Sequence, residues 1–112
     1  MSKLHTDIAK ACLKDIGSEV CGFIRGSEVI PVKNIADDPA TSFVIDARDY
    51  LKYSSDVVFH SHPVGDNGFS EQDILVASNL RLISYVYVVE ADRLERFSLD
   101  SGTTVFENVL GR

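Results

Sequence analysis

The sequence predicts a mixed α/β domain in which helices pack on a central sheet. Apolar residues recur at helical spacing over residues 3–16, whereas residues 82–90 are rich in Val, Ile and Tyr, and the two kinds of pattern alternate along the chain. The chain has 112 residues, which is the size of one domain, and it contains no internal repeat or low-complexity linker. We therefore expect a single domain that spans residues 1–112.

The first third of the chain predicts a helix followed by a β-hairpin. The apolar positions of the helix lie three to four residues apart and are Leu4, Ile8, Ala11, Cys12 and Ile16. Gly17 is a natural C-terminal stop, so we expect this helix over residues 3–16. Residues 19–25 then predict a strand, Gly26-Ser27 a tight turn, and residues 28–34 the returning strand.

The middle of the chain predicts a short strand, a helix and a buried strand. Residues 42–45 favour the short strand, and Asp46 can cap a helix that runs to about Tyr53. Residues 57–59 form a short apolar run typical of a buried strand, and this run leads directly into His60.

The remaining residues predict one more helix and two paired strands. Residues 63–69 have loop chemistry, and Ser70 is a good N-cap with Asp73 at the third helical position, which predicts a helix over residues 71–80. Residues 82–90 and 94–99 predict strands that pair with each other. The pattern of the last ten residues is ambiguous.

Composition argues against several classes of function. The net charge of −6 and the pI of about 4.9 disfavour binding to nucleic acid. The sequence contains neither a basic amphipathic stretch nor an apolar run of about 20 residues, so it does not indicate a role at a membrane. The charged N-terminus does not resemble a signal peptide, so we expect a cytoplasmic protein. The two cysteines form no CxxC pair, which excludes a cysteine-based zinc ribbon and favours reduced thiols.

One group of residues has the chemistry of a catalytic metal site. His60 and His62 are two apart on a predicted strand and therefore point the same way, and Asp73 lies in the first turn of the next helix. Two imidazoles and one carboxylate suit zinc and leave its fourth position open for water. The alternative is that the histidines are ordinary strand residues and that Asp73 only stabilises the start of its helix through the helix dipole.

Hydrolysis also requires a proton carrier and a donor to the oxyanion. Glu19, at the start of a predicted strand, is the candidate general base for a zinc-bound water, and Glu28 and Glu71 are its rivals. Ser70 is the candidate oxyanion donor. It can also cap the helix through its side chain, and we expect these two roles to compete.

Together these residues resemble the motif of the JAMM (JAB/MPN) metallopeptidases, which is E, then H-S/T-H-P, then S-x-x-D. The match runs from Glu19 through His60-Ser61-His62-Pro63 to Ser70-Glu71-Gln72-Asp73, with the family spacing of seven residues between His62 and Ser70. The resemblance implies a three-layer α/β fold like that of cytidine deaminases. It also implies one zinc ion on His60, His62 and Asp73, with Glu19 as general acid/base and Ser70 as oxyanion partner.

Residues 19–24, 34–36 and 43–46 are most similar to the prokaryotic and phage branch, particularly the N-terminal domain of lambda-type phage tail assembly proteins. A second resemblance, to RadC-type JAB domains, covers HxHP and SxxD. Many phage tail proteins fuse this domain to an NlpC-type peptidase that cuts cell walls. The present sequence ends at Arg112, so it either works alone or is a fragment. If phage-encoded, it would be associated with tail proteins and the virion. Its oligomeric state is open.

We therefore expect a zinc-dependent metallopeptidase or isopeptidase that hydrolyses an amide bond in a protein or peptide tail. By resemblance, its substrate is a phage tail component or a ubiquitin-like sulfur carrier. The alternative is a non-catalytic structural or binding module of a phage tail tip. The sequence disfavours a nucleobase deaminase, since His60-Ser61-His62 lacks the required acid and no PCxxC follows.

Overall fold

A computed structural model describes residues 2–112 and contains three helices and six strands in that range. Their bounds, in chain order, are α1 Lys3–Cys12, β1 Cys21–Arg25, β2 Glu28–Val32, α2 Ala47–Tyr53, β3 Val57–His62, α3 Glu71–Leu80, β4 Ile83–Val88, β5 Arg93–Ser98 and β6 Gly102–Phe106. The strands form one sheet in the order β2-β1-β3-β4-β5-β6. β3 and β4 are parallel, and the other pairings are antiparallel.

The sheet lies between two helical layers, which confirms the predicted mixed α/β architecture. On one face, α1 packs through Ile8 and Cys12 against Phe59 and Tyr87. The other face is covered by α2 and α3 and carries a separate apolar cluster, whose buried members are Cys21, Phe23, Ile45, Val58, Ala77, Leu82 and Phe97. Helices on both faces give the three layers that the family resemblance implies.

Side-chain alternation along β3 decides which residues face which layer. Phe59 belongs to the cluster under α1, whereas Val58 belongs to the cluster under α2 and α3. Because successive side chains on a strand point to opposite faces, His60 and His62 share the face of Val58. The strand thus directs both imidazoles toward the layer that contains α3.

The first helix is shorter than its apolar periodicity predicts. It ends at Cys12 instead of residue 16, and Ile16 is 63% exposed. Leu13 closes the helix, with its N–H donating to the carbonyl of Ala9. Periodicity counts apolar positions, but packing on the sheet decides where a helix ends, and Cys12 is the last fully buried position.

Strand ends also differ from the sequence prediction. β1 begins at Cys21 instead of residue 19, and β2 ends at Val32 instead of residue 34. Residues 42–45 do not form a strand but make a single bridge between Asn34 and Ile45. The Asn34 side chain explains this difference, since its Oδ1 accepts the N–H of Val44 at 3.1 Å in place of a longer ladder.

The structure adds β6, which the ambiguous C-terminal sequence did not predict. This edge strand pairs with β5 and leaves its central residues, Thr103, Thr104 and Val105, exposed. A strand with so little buried apolar surface has no clear alternating pattern, so its pairing is decided by the neighbouring strand.

Gly22 allows β1 to lie against its neighbours, and we expect Gly22→Ala to lower the free energy of unfolding by about 1–3 kcal/mol. A Cβ at this position would lie 2.1 Å from the Ile30 carbonyl oxygen and 2.8 Å from the Phe59 ring. Chemical denaturation measures the effect. Gly17→Ala is the matched control, because a Cβ there meets nothing closer than 3.5 Å. Equal stability of the two variants would contradict the prediction.

Candidate metal centre

Two histidines reach one site because β3 continues through them. His60 is 1% exposed, and the side chain of His62, at the end of the strand, is 18% exposed. The ring of His60 stacks on Phe43, with centroids 4.5 Å apart and planes inclined by 23°. The centroid of the His62 ring lies 4.9 Å from that of His60. Both imidazoles are therefore held in place by contacts between rings.

The start of α3 brings a carboxylate to the two imidazoles. Oδ2 of Asp73 lies 3.3 Å from Nε2 of His60 and 3.5 Å from Nε2 of His62. The same oxygen accepts the backbone N–H of Ser70 at 3.0 Å, and the Ser70 Oγ accepts the N–H of Asp73 at 3.0 Å. This reciprocal capping box fixes the Asp73 side chain at the helix start. Asp73 thus caps the start of α3 and also faces both imidazoles.

Glu19, from a distant part of the chain, lies beside His60 and His62. It lies just before β1 and is 7% exposed. One potential ligand atom from each of Glu19, His60 and His62 lies within 4.8 Å of the others, so these three side chains could hold a metal ion. The rivals Glu28 and Glu71 are exposed, and neither borders the cavity at this site.

The backbone of Glu19 is fixed by two residues that the sequence did not single out for the site. The Glu19 N–H donates to the carbonyl of Pro39 at 2.6 Å, and its carbonyl accepts from Nδ2 of Asn34 at 2.9 Å. Nδ2 of Asn34 also donates to the Ser42 carbonyl at 3.0 Å, next to Phe43. Asn34 therefore joins the candidate base to the segment that packs on His60. A polar residue after a hairpin strand was the only signal for this role.

Ser61 ties β3 to the chain immediately after Glu19. Its Oγ accepts the N–H of Val20 at 2.8 Å, and its own N–H donates to the Val20 carbonyl at 2.9 Å. Ser61 is fully buried on the face opposite the two histidines. These two bonds fix the position of Glu19 relative to His60 and His62.

The two expected roles of Ser70 do not compete. Its Oγ caps α3 by accepting a hydrogen bond, which uses an oxygen lone pair. A hydroxyl has two acceptor lone pairs and one proton, so the proton stays available to donate. Ser70 is exposed and borders the cavity, where a donor could reach a ligand.

Burial and neighbouring charges shift the pKa values of the cluster. Burial raises the pKa of Glu19 to about 7, although His62 opposes this shift and Asp73 adds to it. Burial also lowers the pKa of His60, which favours the neutral imidazole that a metal requires. Burial acts to raise the pKa of Asp73, but hydrogen bonds with His60 and His62 outweigh it and hold that pKa below its usual range.

The pKa of His62 moves in the opposite direction to that of His60. Burial acts to lower it, but hydrogen bonds with Asp73 and the Asn67 carbonyl, together with the charge of Glu19, raise it. Two adjacent imidazoles thus differ in their readiness to take a proton. A carboxylate whose pKa is near 7 lies beside them, which is a typical arrangement for acid–base chemistry.

The group opens into a cavity of about 480 Å³ between the sheet, the segment around Phe43 and α3. Glu19, His60, His62 and Asp73 border this cavity, and much of the remaining lining is apolar. Such a cavity can hold an extended segment or a small molecule beside the polar cluster.

No helix within residues 2–112 has the length and apolar character needed to cross a bilayer.

Comparison with known proteins identifies the family to which this sequence belongs. The sequence model described as prokaryotic homologs of the JAB domain matches residues 1–100. The solution structure of protein DSY2949 from Desulfitobacterium hafniense is similar in fold, with a TM-score of 0.67 at 19% sequence identity over 96% of this chain and 88% of that chain. No curated protein matches the sequence. Because the family match spans most of the chain, this protein belongs to the prokaryotic homologues of the JAB domain.

Proposed function

We propose that this protein is a zinc metallopeptidase that hydrolyses an amide bond in a protein or peptide tail. One observation carries the proposal. The Nε2 atoms of His60 and His62 both approach the same oxygen of Asp73, and they do so in a cavity that Glu19 also borders. Family membership supports it, since the family shares this ligand motif by the resemblance described above.

The donor set fits zinc. Ligand atoms about 2.0–2.2 Å from a tetrahedral zinc ion lie roughly 3.3–3.6 Å apart. The distances from Asp73 Oδ2 to the two imidazole nitrogens are 3.3 and 3.5 Å. Three protein ligands leave one position open, as in catalytic zinc sites. We therefore assign His60, His62 and Asp73 as the ligands of one zinc ion.

Glu19 and Ser70, which lie near these ligands, take the roles of proton carrier and hydrogen-bond donor. A zinc ion at this site would lower the pKa of water toward about 7 and polarise the scissile carbonyl. A carboxylate oxygen of Glu19 accepts a proton from the attacking water and returns it to the leaving amine. The Ser70 hydroxyl donates a hydrogen bond to the carbonyl oxygen as that oxygen gains negative charge.

The proposed substrate is an extended tail. Two classes follow from the family resemblance, namely a phage tail component and a ubiquitin-like sulfur carrier. An extended segment of either could enter the cavity of about 480 Å³ beside the candidate ligands. A fused or associated peptidase that cuts cell walls, or a tail protein, is the partner that the phage alternative implies.

Zinc binding is tested without a substrate. Chelator-treated protein retitrated with zinc should take up one ion per chain. Its melting temperature should rise, because a ligand of the native state at a hundred times its Kd stabilises by about 2.7 kcal/mol. His62→Ala should lose both effects. His5→Ala is the matched control, since His5 packs against Phe106 on the other face of the sheet and should keep the stoichiometry.

Cleavage is tested on fusions that carry either a sulfur-carrier C-terminus or a phage tail segment. Chelator should abolish cleavage and zinc should restore it, because the ligands alone supply no nucleophile. Full activity in chelator would end the metallopeptidase proposal. A protein that binds no zinc at neutral pH would instead favour the non-catalytic module.

A further inference from the structure

The loop formed by residues 63–69 joins β3 to α3 and presents a backbone carbonyl to His62. The Asn67 carbonyl oxygen lies 2.9 Å from Nδ1 of His62. A carbonyl oxygen only accepts, so Nδ1 donates to it, and a ring that binds a metal through Nε2 carries its proton on Nδ1. Nε2 is the nitrogen that faces Asp73. The position of Asn67 therefore favours the tautomer that binds metal through Nε2 and fixes the direction of the His62 ring.

Two charged residues of β5 hold this loop on either side of Asn67. Arg93 donates through Nη2 to the carbonyl of Asp66, one residue before it. Oε1 of Glu95 accepts the N–H of Phe69 at 3.4 Å, two residues after it. Nε of Arg93 lies 3.0 Å from Oε2 of Glu95, and both side chains are largely buried, at 16% and 13% exposed.

Gly68 lies directly against this ion pair. A Cβ at Gly68 would lie 2.0 Å from Oε2 and 2.1 Å from Oε1 of Glu95. Any larger residue would therefore displace a carboxylate that Arg93 already holds in place. The close approach is an independent sign that the loop is fitted to this pair and not merely near it.

We propose that Arg93 and Glu95 are positioning residues of the candidate metal centre, which act through the 63–69 loop on His62. This inference rests on the proposed function, because it takes His62 to be a zinc ligand. Neither residue lies in the ligand cluster. Their effect passes from the ion pair to Asp66 and Phe69, then to the Asn67 carbonyl and the His62 ring.

The experiment compares zinc affinity, by competition with a chromophoric chelator, in the parent, Arg93→Ala, Glu95→Ala and Gly68→Ala. Loss of a group that orients a ligating histidine typically weakens metal binding 10–100-fold, and we expect about tenfold for each variant. Glu95→Gln should recover part of the loss, because its amide oxygen can still accept the Phe69 N–H. Arg96→Ala, on the same strand beside Tyr85, is the matched control and should bind as the parent does.

A second readout does not depend on zinc. Long-range ¹H–¹⁵N spectra at alkaline pH, where imidazole is neutral, should show a larger share of the Nδ1-protonated tautomer of His62 in the parent than in Glu95→Ala, because Asp73 then competes for the ring proton with a weaker rival. Lower thermal stability with unchanged zinc affinity and tautomer would overturn the inference. If the parent binds no zinc, the proposed function fails, and the spectra still decide whether the ion pair orients His62.

Discussion

Glu19→Gln is expected to keep zinc bound and to lower turnover about a hundredfold or more. Glutamine preserves the size of the side chain and its reach for hydrogen bonds but cannot take a proton. Glu19 is 7% exposed and, apart from the proposed ligand Asp73, is the acidic residue that borders the cavity, so no other carboxylate there easily replaces it. Steady-state kinetics on whichever tail fusion the parent cleaves, together with zinc content, measure the effect.

Glu28→Gln and Glu71→Gln are the matched controls for this variant. Both carboxylates are exposed and lie outside the cavity, so turnover should be unchanged in both. If Glu19→Gln lost the metal, Glu19 would be a ligand, an arrangement that its distances to the two histidines also permit. If it kept both metal and turnover, the general base would be a different residue.

Asp73→Asn is expected to weaken zinc binding by more than about a hundredfold, with a parallel loss of turnover. The change removes a charged ligand, whereas loss of a group outside the ligand shell typically costs 10–100-fold. The Asn amide oxygen can still accept the Ser70 N–H, so the start of α3 should survive. Chelator competition and circular dichroism separate the two effects.

The chain offers a close control for Asp73→Asn. Asp46 caps α2 by accepting the Arg48 N–H at 2.8 Å. It is therefore a helix-capping carboxylate like Asp73, but it is not one of the candidate metal ligands. Asp46→Asn should leave zinc affinity unchanged. Equal zinc affinity in Asp73→Asn and the parent would restrict Asp73 to the capping box.

The sequence predicted those features of the candidate site that depend on local geometry. His60 and His62 share a face because strands alternate, and Ser70 with Asp73 forms a capping box because helix starts require one. The fold class follows from similar local patterns. These features need only a few neighbouring residues, so a single sequence contains their signal.

The remaining features depend on contacts between distant segments. Asn34 accepts from Val44 and donates to Glu19 and Ser42, and none of these bonds follows from its neighbours in the chain. The 63–69 loop reads as an ordinary loop, yet Arg93 and Glu95 on β5 fix it. The same limit applies to the end of α1 and to β6, where packing on the sheet outweighs local propensity.

The candidate ligands and the candidate base differ in how far apart they lie along the chain. His60 and Asp73 are 13 residues apart, so they meet by closing a short loop at modest entropic cost. Glu19 reaches them through long-range contacts, namely the pairing of β1 with β3 and the two hydrogen bonds between Val20 and Ser61. A partly unfolded chain in which β1 had left β3 would thus keep all three ligands and lose the base. Metal retention would then overstate the fraction of molecules able to catalyse, because local unfolding removes the two properties separately.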